Sequence, residues 1–121
     1  AVNRETLLVL MLETPTAIAN ADAIAAVPGV DALLIGTSDL TMEMGIPGQF
    51  DHQDVIAAYE TVIAACRKHG KHPGMGGVYD PANMQRYISI GARLILSGSD
   101  FSFLMAGARA QASAVRAMSP S

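Results

Sequence analysis

The stretch "DALLIGTSDL", residues 31–40, contains the pattern that decides the fold. Its apolar residues are consecutive rather than alternating, which is typical of a strand buried on both faces of a parallel sheet. Gly36 ends the apolar run, and an acid, Asp39, follows among small hydroxyl residues. We therefore predict a strand over 31–36 that delivers a carboxylate to its own carboxyl end.

Three further segments have a similar character, and helical patterns separate them. The predicted strands are "LLVLML" (7–12), "DALLIG" (31–36), "HPGMGGV" (72–78) and "RLILSG" (93–98). Helices are predicted from Thr14-Pro15 to about Val27, from Asp51 and Asp54 to Gly70, from Asp80-Pro81 to Gly91, and from Ser99 or Asp100 to before Pro120, with a short loop or one-turn helix over 38–46. Four β-then-α units in succession predict a parallel sheet with right-handed crossovers.

Two architectures fit this order of elements. One is a small doubly wound domain, and the other is half of a (β/α)8 barrel, since a whole barrel needs roughly 250 residues. The opening "AVNRET" (1–6) looks like the tail of an earlier helix that runs directly into a strand. A half barrel would have two open sheet edges and an uncovered apolar interior. If the chain is such a half barrel, we expect the 121 residues to belong to a longer chain or to self-associate.

The composition excludes several classes of protein. Half of the residues are hydrophobic and 16% are charged, which indicates a core-rich globular domain. The net charge of −3 and the lack of a Lys/Arg cluster argue against nucleic acid as a partner. The apolar run 7–12 is too short to span a bilayer and lacks the flanks of a signal peptide. A single cysteine, Cys66, fits the reducing cytoplasm, where we expect this protein.

Two acids follow neighbouring predicted strands. Glu13 comes after the first strand and Asp39 after the second. Because neighbouring strands lie about 4.8 Å apart, both side chains can reach a common point. Two carboxylates that close repel each other unless a proton or a cation lies between them, and oxygen ligands suit Mg²⁺ or Mn²⁺. Helix capping explains either acid taken alone, but their placement on consecutive strands favours a metal site.

Small residues in two turns suggest anion binding. Gly36, Thr37 and Ser38 form a turn that can aim backbone N–H groups at an anion, with hydroxyl groups as further donors. A tight turn that requires glycine is the alternative. "SGSD" (97–100) repeats the pattern after the fourth strand, where capping of the last helix by Ser99 is a sufficient explanation.

The segment "LMLETPTAIANADAIAAVPGVDALLIGTSDLTMEMGIPGQFDHQDV" (10–55) resembles the HpcH/HpaI aldolase family. "RYISIGAR" (86–93) and "SGSDFSFL" (97–104) extend the resemblance over almost the whole chain. These class II aldolases act on 2-keto-3-deoxy acids and are related to macrophomate synthase and the citrate lyase β subunit. The resemblance implies a TIM barrel, an α/β fold, with residues 1–121 covering its last four βα units as the C-terminal half.

The resemblance also implies roles for individual residues. Glu13 and Asp39 match the two metal-binding carboxylates, for which Mg²⁺ or Mn²⁺, with Co²⁺ as an alternative, is the expected ion. Gly36, Thr37 and Ser38 match the turn whose backbone amides bind the substrate carboxylate. The implied reaction is cleavage of a 2-keto-4-hydroxy acid to pyruvate and an aldehyde, or its reverse, through a metal-stabilised enolate.

Other family features are missing or altered in this chain. Met11 occupies the position of a family glutamine, which leaves open a citrate lyase β-like enzyme that acts on an acyl-CoA. The family's histidine–aspartate base and its substrate-binding arginine would lie upstream of residue 1, so a catalytically incomplete fragment is a further alternative. The family implies a homo-oligomer, commonly a hexamer, and a need for the N-terminal half barrel. Lys68 and Lys71 fall at the pole opposite the predicted site, which argues against Schiff-base chemistry.

Overall fold

The computed structural model describes residues 5–118 and contains one parallel sheet with the strand order β1-β2-β3-β4. The strands are β1 (Val9–Leu12), β2 (Ala32–Gly36), β3 (His72–Gly76) and β4 (Leu94–Ile95). The helices are α1 (Pro15–Ala19), α2 (Ala21–Ala25), α3 (Thr37–Glu43), α4 (Gln53–His69), α5 (Pro81–Ile90) and α6 (Asp100–Arg116). The predicted βα alternation is confirmed. The predicted helix tail at 1–6 and the chain end near Pro120 fall largely outside the described residues.

The hydrophobic core lies on one face of the sheet. Leu12, Ile35 and Met75 are paired in register across β1, β2 and β3, and all three are buried. Helix α4 covers them with an apolar face that recurs at helical spacing and consists of Val55, Ala58, Tyr59, Val62, Ile63, Ala65 and Cys66. Cys66 belongs to this core, and burial raises the pKa of its thiol.

The opposite face of the sheet is open at its two sides. Met11 on β1 is 54% exposed, and Leu96 directly after β4 is 44% exposed. Only the central part of this face is covered, since Leu34 is buried and lies over Gly74 of β3. The prediction of strands buried on both faces is therefore correct for β2 and wrong for β1, because the helices cover only one side of the sheet.

The strand boundaries follow the pairing rather than the apolar runs. The predicted strand 7–12 begins at Val9 in the structure. Just before it, the backbone of Leu8 is bonded to Asp31, with the Leu8 N–H donating to the Asp31 carboxylate at 2.8 Å. The predicted strand 93–98 is reduced to the two residues of β4, Leu94 and Ile95, which pair with Gly74 and Met75 of β3.

The first predicted helix is broken in two. Thr14 caps α1 as expected, since its hydroxyl accepts from the Ala17 N–H at 3.1 Å. The helix then stops at Asn20, whose side-chain amide donates to the Thr16 carbonyl at 2.8 Å. This bond competes with the helical backbone bonds, so α2 begins anew at Ala21. One helix over 14–27 was therefore wrong in detail.

Helix α6 is apolar but buries none of its residues. Phe101 and Leu104 are 69% and 70% exposed, and they lie three positions apart on one side of the helix. Within residues 5–118, no helix combines the length and apolar character required to cross a membrane. The exposed apolar surface of α6 and the open face of the sheet are two uncovered hydrophobic regions among residues 5–118.

Candidate active site

The two acids meet at the carboxyl edge of the sheet. Glu13 comes one residue after β1, and Asp39 lies in the first turn of α3, which begins directly after β2. Partial burial is the main cause that raises the pKa of Glu13, and a hydrogen bond with Asp39 and the negative charge of Asp39 raise it further. The predicted closeness of the two carboxyl groups is thus present, and their role as metal ligands stays a prediction.

A cleft of about 180 Å³ contains both acids. Its lining residues come from the ends of all four strands and are Met11, Glu13, Leu34, Gly36, Ser38, Asp39, Gly76, Gly77 and Leu96. The cleft therefore has an acidic part, formed by Glu13 and Asp39, and an apolar part that includes Met11, Leu34 and Leu96. Met11 faces the cleft beside Glu13, as expected for residues two positions apart on one strand.

Two glycines, Gly36 and Gly77, leave space for the side chains of the site. A Cβ atom on Gly36 would lie 2.7 Å from both Cγ and Oε1 of Glu13. Glu13 therefore leans across the end of β2, over the bare backbone of Gly36, towards Asp39. Gly77 has φ of +79°, and a Cβ atom there would lie 2.8 Å from the Ser38 hydroxyl. The sequence marks Gly36 only as a turn residue, since the chain position of a glycine does not reveal what passes over it.

The hydroxyl groups of the turn have other partners than those predicted. The Thr37 side chain is fully buried and lies 2.7 Å from the Tyr59 hydroxyl and 2.7 Å from the Gly76 carbonyl. The Ser38 hydroxyl lines the cleft but donates to the Gly77 carbonyl at 3.3 Å. The hydroxyl of Thr37 therefore has a structural role and does not donate a hydrogen bond to a substrate. The sequence contains no signal for this contact of Tyr59, since Tyr59 falls at helical spacing among the apolar residues of α4.

The histidines and lysines lie elsewhere. Lys68 and His69, at the end of α4, bind Asp22 at 2.9 and 3.0 Å, and these two hydrogen bonds lower the pKa of Asp22. His52 caps α4 by accepting from the Asp54 N–H, in place of the predicted start at Asp51 and Asp54. His52 thus caps a helix, His69 is bonded to Asp22, and Lys68 lies away from the cleft.

A second cleft, of about 300 Å³, lies where β3 and β4 lead into their helices. It is lined by Tyr79, Ser97, Gly98, Ser99 and Ser102. Ser99 and Ser102 cap α6 reciprocally, each side chain bonded to the backbone of the other residue. The pattern "SGSD" is therefore explained by helix capping, as the alternative predicted.

The donor atoms at the acidic part of the cleft fit a hard divalent cation. Glu13 and Asp39 supply carboxylate oxygens on one side of an open cleft, and their repulsion would be relieved by a cation between them. Among residues 5–118, no group of three or more His, Cys, Asp or Glu side chains could hold a metal ion. A cation held by this pair would keep further coordination positions for water, substrate or other protein ligands.

Comparison with known proteins identifies relatives of this chain. The sequence model of the HpcH/HpaI aldolase/citrate lyase family matches residues 1–106. A 4-hydroxy-4-methyl-2-oxoglutarate aldolase of Hapsidospora irregularis is 46% identical over 110 residues, which are 89% of this chain and 41% of that protein. A 5-keto-4-deoxy-D-glucarate aldolase of Salmonella arizonae is 34% identical over 105 residues, which are 87% of this chain and 41% of that protein.

The fold agrees with the sequence relatives. The crystal structure of an HpcH/HpaI aldolase of Desulfitobacterium hafniense matches 97% of this chain and 45% of that one, with a TM-score of 0.79 and 30% identity. The four-stranded parallel sheet is therefore part of the TIM-barrel fold of these aldolases. The chain spans about 41% of the length of the two relatives named above. With the family matched over residues 1–106, this chain belongs to the HpcH/HpaI aldolase/citrate lyase family.

Proposed function

We propose that residues 1–121 are the C-terminal half of a TIM-barrel aldolase. This enzyme cleaves a 2-keto-4-hydroxy acid to pyruvate and an aldehyde, or catalyses the reverse condensation. The observation that carries this proposal is the placement of Glu13 and Asp39 in one open cleft at the carboxyl edge of the sheet. Relatives named as aldolases favour this reaction over a lyase that acts on an acyl-CoA.

Each part of the cleft has a role in the proposal. Glu13 and Asp39 would hold Mg²⁺ or Mn²⁺, and the bound ion would supply Lewis-acid chemistry that favours enolate formation. The apolar part with Met11, Leu34 and Leu96 would pack against the carbon skeleton of the keto acid and exclude water from it.

The turn after β2 would bind the substrate carboxylate. The residue before α3 is Gly36, which has no side chain that could cap the helix. The first backbone N–H groups of α3 therefore receive no hydrogen bond from an N-cap side chain. Gly36 and Ser38 line the cleft, and Thr37 lies between them. In this proposal Gly36, Thr37 and Ser38 contribute backbone N–H groups only, since the Thr37 hydroxyl is engaged in the core.

The remaining catalytic groups would come from outside these residues. The open face of the sheet is where the N-terminal half of the barrel would pack, bringing the general base and an arginine to the cleft. The exposed apolar side of α6 would be covered in a homo-oligomer. A cytoplasmic location completes the proposal, in keeping with the single, buried cysteine.

The test uses the native full-length protein and measures pyruvate release from 5-keto-4-deoxy-D-glucarate, which leaves an aldehyde, and from 4-hydroxy-4-methyl-2-oxoglutarate, which leaves a second pyruvate. We expect EDTA to abolish release and Mn²⁺ or Mg²⁺ to restore it. Glu13→Gln and Asp39→Asn should each lower kcat/KM by about 100-fold or more, since even groups that only support metal ligands contribute about 10- to 100-fold. Asp22→Asn, an equivalent change at a distant carboxylate, is the control. Activity that survives both EDTA and the double variant would contradict a metal-dependent mechanism.

A further inference from the structure

A buried chain of hydrogen bonds runs from helix α4 to the end of β3. The Tyr59 hydroxyl lies 2.7 Å from Thr37 Oγ1, and Thr37 Oγ1 lies 2.7 Å from the Gly76 carbonyl oxygen. Tyr59 is 1% exposed and Thr37 is 0% exposed, so water does not compete for these bonds. This chain of hydrogen bonds includes Thr37, which lies in the same helical turn as Asp39.

The direction of each bond follows from its chemistry. The Gly76 carbonyl can only accept, so the Thr37 hydroxyl donates its single proton there. The Tyr59 hydroxyl must then donate to Thr37 Oγ1, which satisfies both hydroxyl groups and the carbonyl. Burial raises the pKa of Tyr59, so this donor stays protonated over the physiological range. The orientation of the Thr37 side chain is thereby fixed.

These bonds extend the pairing of β2 with β3 past the end of the strands. The backbone register ends at Gly36 and Gly76. Beyond that point Thr37 binds the Gly76 carbonyl through its side chain, and Ser38 binds the Gly77 carbonyl at 3.3 Å. Two consecutive side chains thus replace backbone rungs of the ladder. The residue that follows them is Asp39, so its backbone is held at a defined place beside β3.

The other end of the chain of bonds is anchored in the core. The Tyr59 ring stacks on Tyr87 with centroids 3.7 Å apart and an interplanar angle of 17°. The Tyr87 hydroxyl donates in turn to the Phe50 carbonyl. Tyr87 therefore supports the ring of Tyr59, and its own hydroxyl is bonded to Phe50 rather than to Thr37. This gives two stacked buried tyrosines, of which only one is bonded to Thr37.

We propose that Tyr59 and Thr37 are positioning residues, which hold Asp39 beside Glu13 so that the two carboxylates can bind one divalent cation. The inference rests on the proposed function, because it assigns the pair Glu13 and Asp39 to a metal site. Neither the Tyr59 side chain nor the Thr37 side chain touches the cation or the substrate, and only the backbone N–H of Thr37 is assigned to substrate binding. They restrict the conformations of the turn that carries Asp39, so that cation binding does not have to order this turn.

The experiment measures Mn²⁺ binding to the native full-length protein by calorimetry, without substrate. Thr37→Val keeps the shape of the side chain and removes its hydroxyl, and we expect Mn²⁺ affinity to fall by about 10- to 100-fold. Tyr59→Phe removes only the donor to Thr37, so we expect a loss of about tenfold, at the lower end of that range. Thr37→Ser restores the hydroxyl and should bind within about threefold of wild type.

Tyr87→Phe is the matched control, because it deletes a buried hydroxyl from the same ring stack without altering Thr37. Its thermal destabilisation should resemble that of Tyr59→Phe, while its Mn²⁺ affinity should equal that of wild type. If Thr37→Val does not fold, the comparison of Tyr59→Phe with Tyr87→Phe decides alone. Equal affinities of these two tyrosine variants would overturn the inference. Wild-type protein that binds no Mn²⁺, or binds it equally well after Asp39→Asn, would instead overturn the proposed function.

Discussion

At the scale of single residues, the candidate site depends on the lack of a side chain at Gly36 as much as on Glu13 and Asp39. The Glu13 side chain occupies the space that any side chain at position 36 would need. The φ of Gly36 is −81°, an ordinary value, so the backbone itself does not require glycine there. The requirement for glycine comes from its neighbour across the sheet, and it links the two acids to the identity of a third residue.

Gly36→Ala should therefore damage the site more than the fold. The new Cβ atom would lie 2.7 Å from the Glu13 carboxylate and would push that side chain away from Asp39. We expect Mn²⁺ affinity of the full-length protein to fall by about tenfold or more, a loss of the size seen when support for a metal ligand is removed. Calorimetric titration measures it. Gly107→Ala in α6, where a Cβ would meet nothing within 4 Å, is the control and should leave affinity unchanged.

Glu13 should lower the stability of the metal-free protein near neutral pH. Its pKa in the folded state lies above the ordinary value of 4.5, so the folded protein binds this proton more tightly than the unfolded chain does. The stabilisation is complete below pH 4.5 and is lost as the pH rises through the higher folded pKa. Glu13→Gln should therefore melt at a higher temperature than wild type at pH 7 without metal, and the gap should close at low pH.

The same melting curves contain a second readout. Mn²⁺ that binds only the folded state should raise the melting temperature of wild type and leave Glu13→Gln almost unchanged. Differential scanning fluorimetry over pH 4 to 8 checks both expectations. A wild-type protein more stable than the variant at neutral pH without metal would contradict the direction of the Glu13 shift.

At the scale of elements, helix α4 connects the core to the site. It begins at the His52 cap, presents Tyr59 to the turn after β2, and ends at Gly70, which adopts the left-handed conformation with φ of +65°. Two carbonyls of its last turn are thereby satisfied, because the Gly70 and Lys71 N–H groups donate to the carbonyls of Arg67 and Cys66. The end of this long helix then leads directly into β3, which contributes Gly76 to the cleft.

Gly70→Ala tests how strongly this helix end is defined. A Cβ atom in the left-handed region is strained whatever the surrounding space, so we expect a loss of about 1 kcal/mol in the free energy of unfolding. Gly70→Asn should lose less, because asparagine tolerates this conformation. Urea denaturation measures both variants. An alanine variant as stable as wild type would show that the backbone relaxes to another helix end.

At the scale of the whole molecule, two apolar surfaces have no cover within the described chain. One is the open face of the sheet, with Met11 and Leu96 at its sides, and the other is α6, with Phe101 and Leu104 outermost. The edges of the sheet are β1 and β4, and each has a parallel partner on one side only. Exposed edges together with exposed apolar side chains favour association with another polypeptide.

Residues 1–121 expressed alone should therefore self-associate. We expect sedimentation velocity to show species larger than 12.6 kDa at micromolar concentration, together with binding of the dye ANS. Replacing Phe101 and Leu104 with serine should shift the distribution towards smaller species. A monodisperse monomer that melts cooperatively and binds no dye would show that the open surfaces are tolerated in water, contrary to the half-barrel interpretation.

The sequence by itself determined the alternation of strands and helices and the placement of Glu13 and Asp39 at one edge, because both depend on local apolar runs and strand order. Local signals could not decide the length of β4, the break at Asn20 or the open face beside Met11, since these depend on which neighbours each residue meets. Only the tertiary structure showed Tyr59 bonded to Thr37 and Glu13 lying over Gly36. Those contacts join residues 22 and 23 positions apart in the chain, where spacing carries no information about distance.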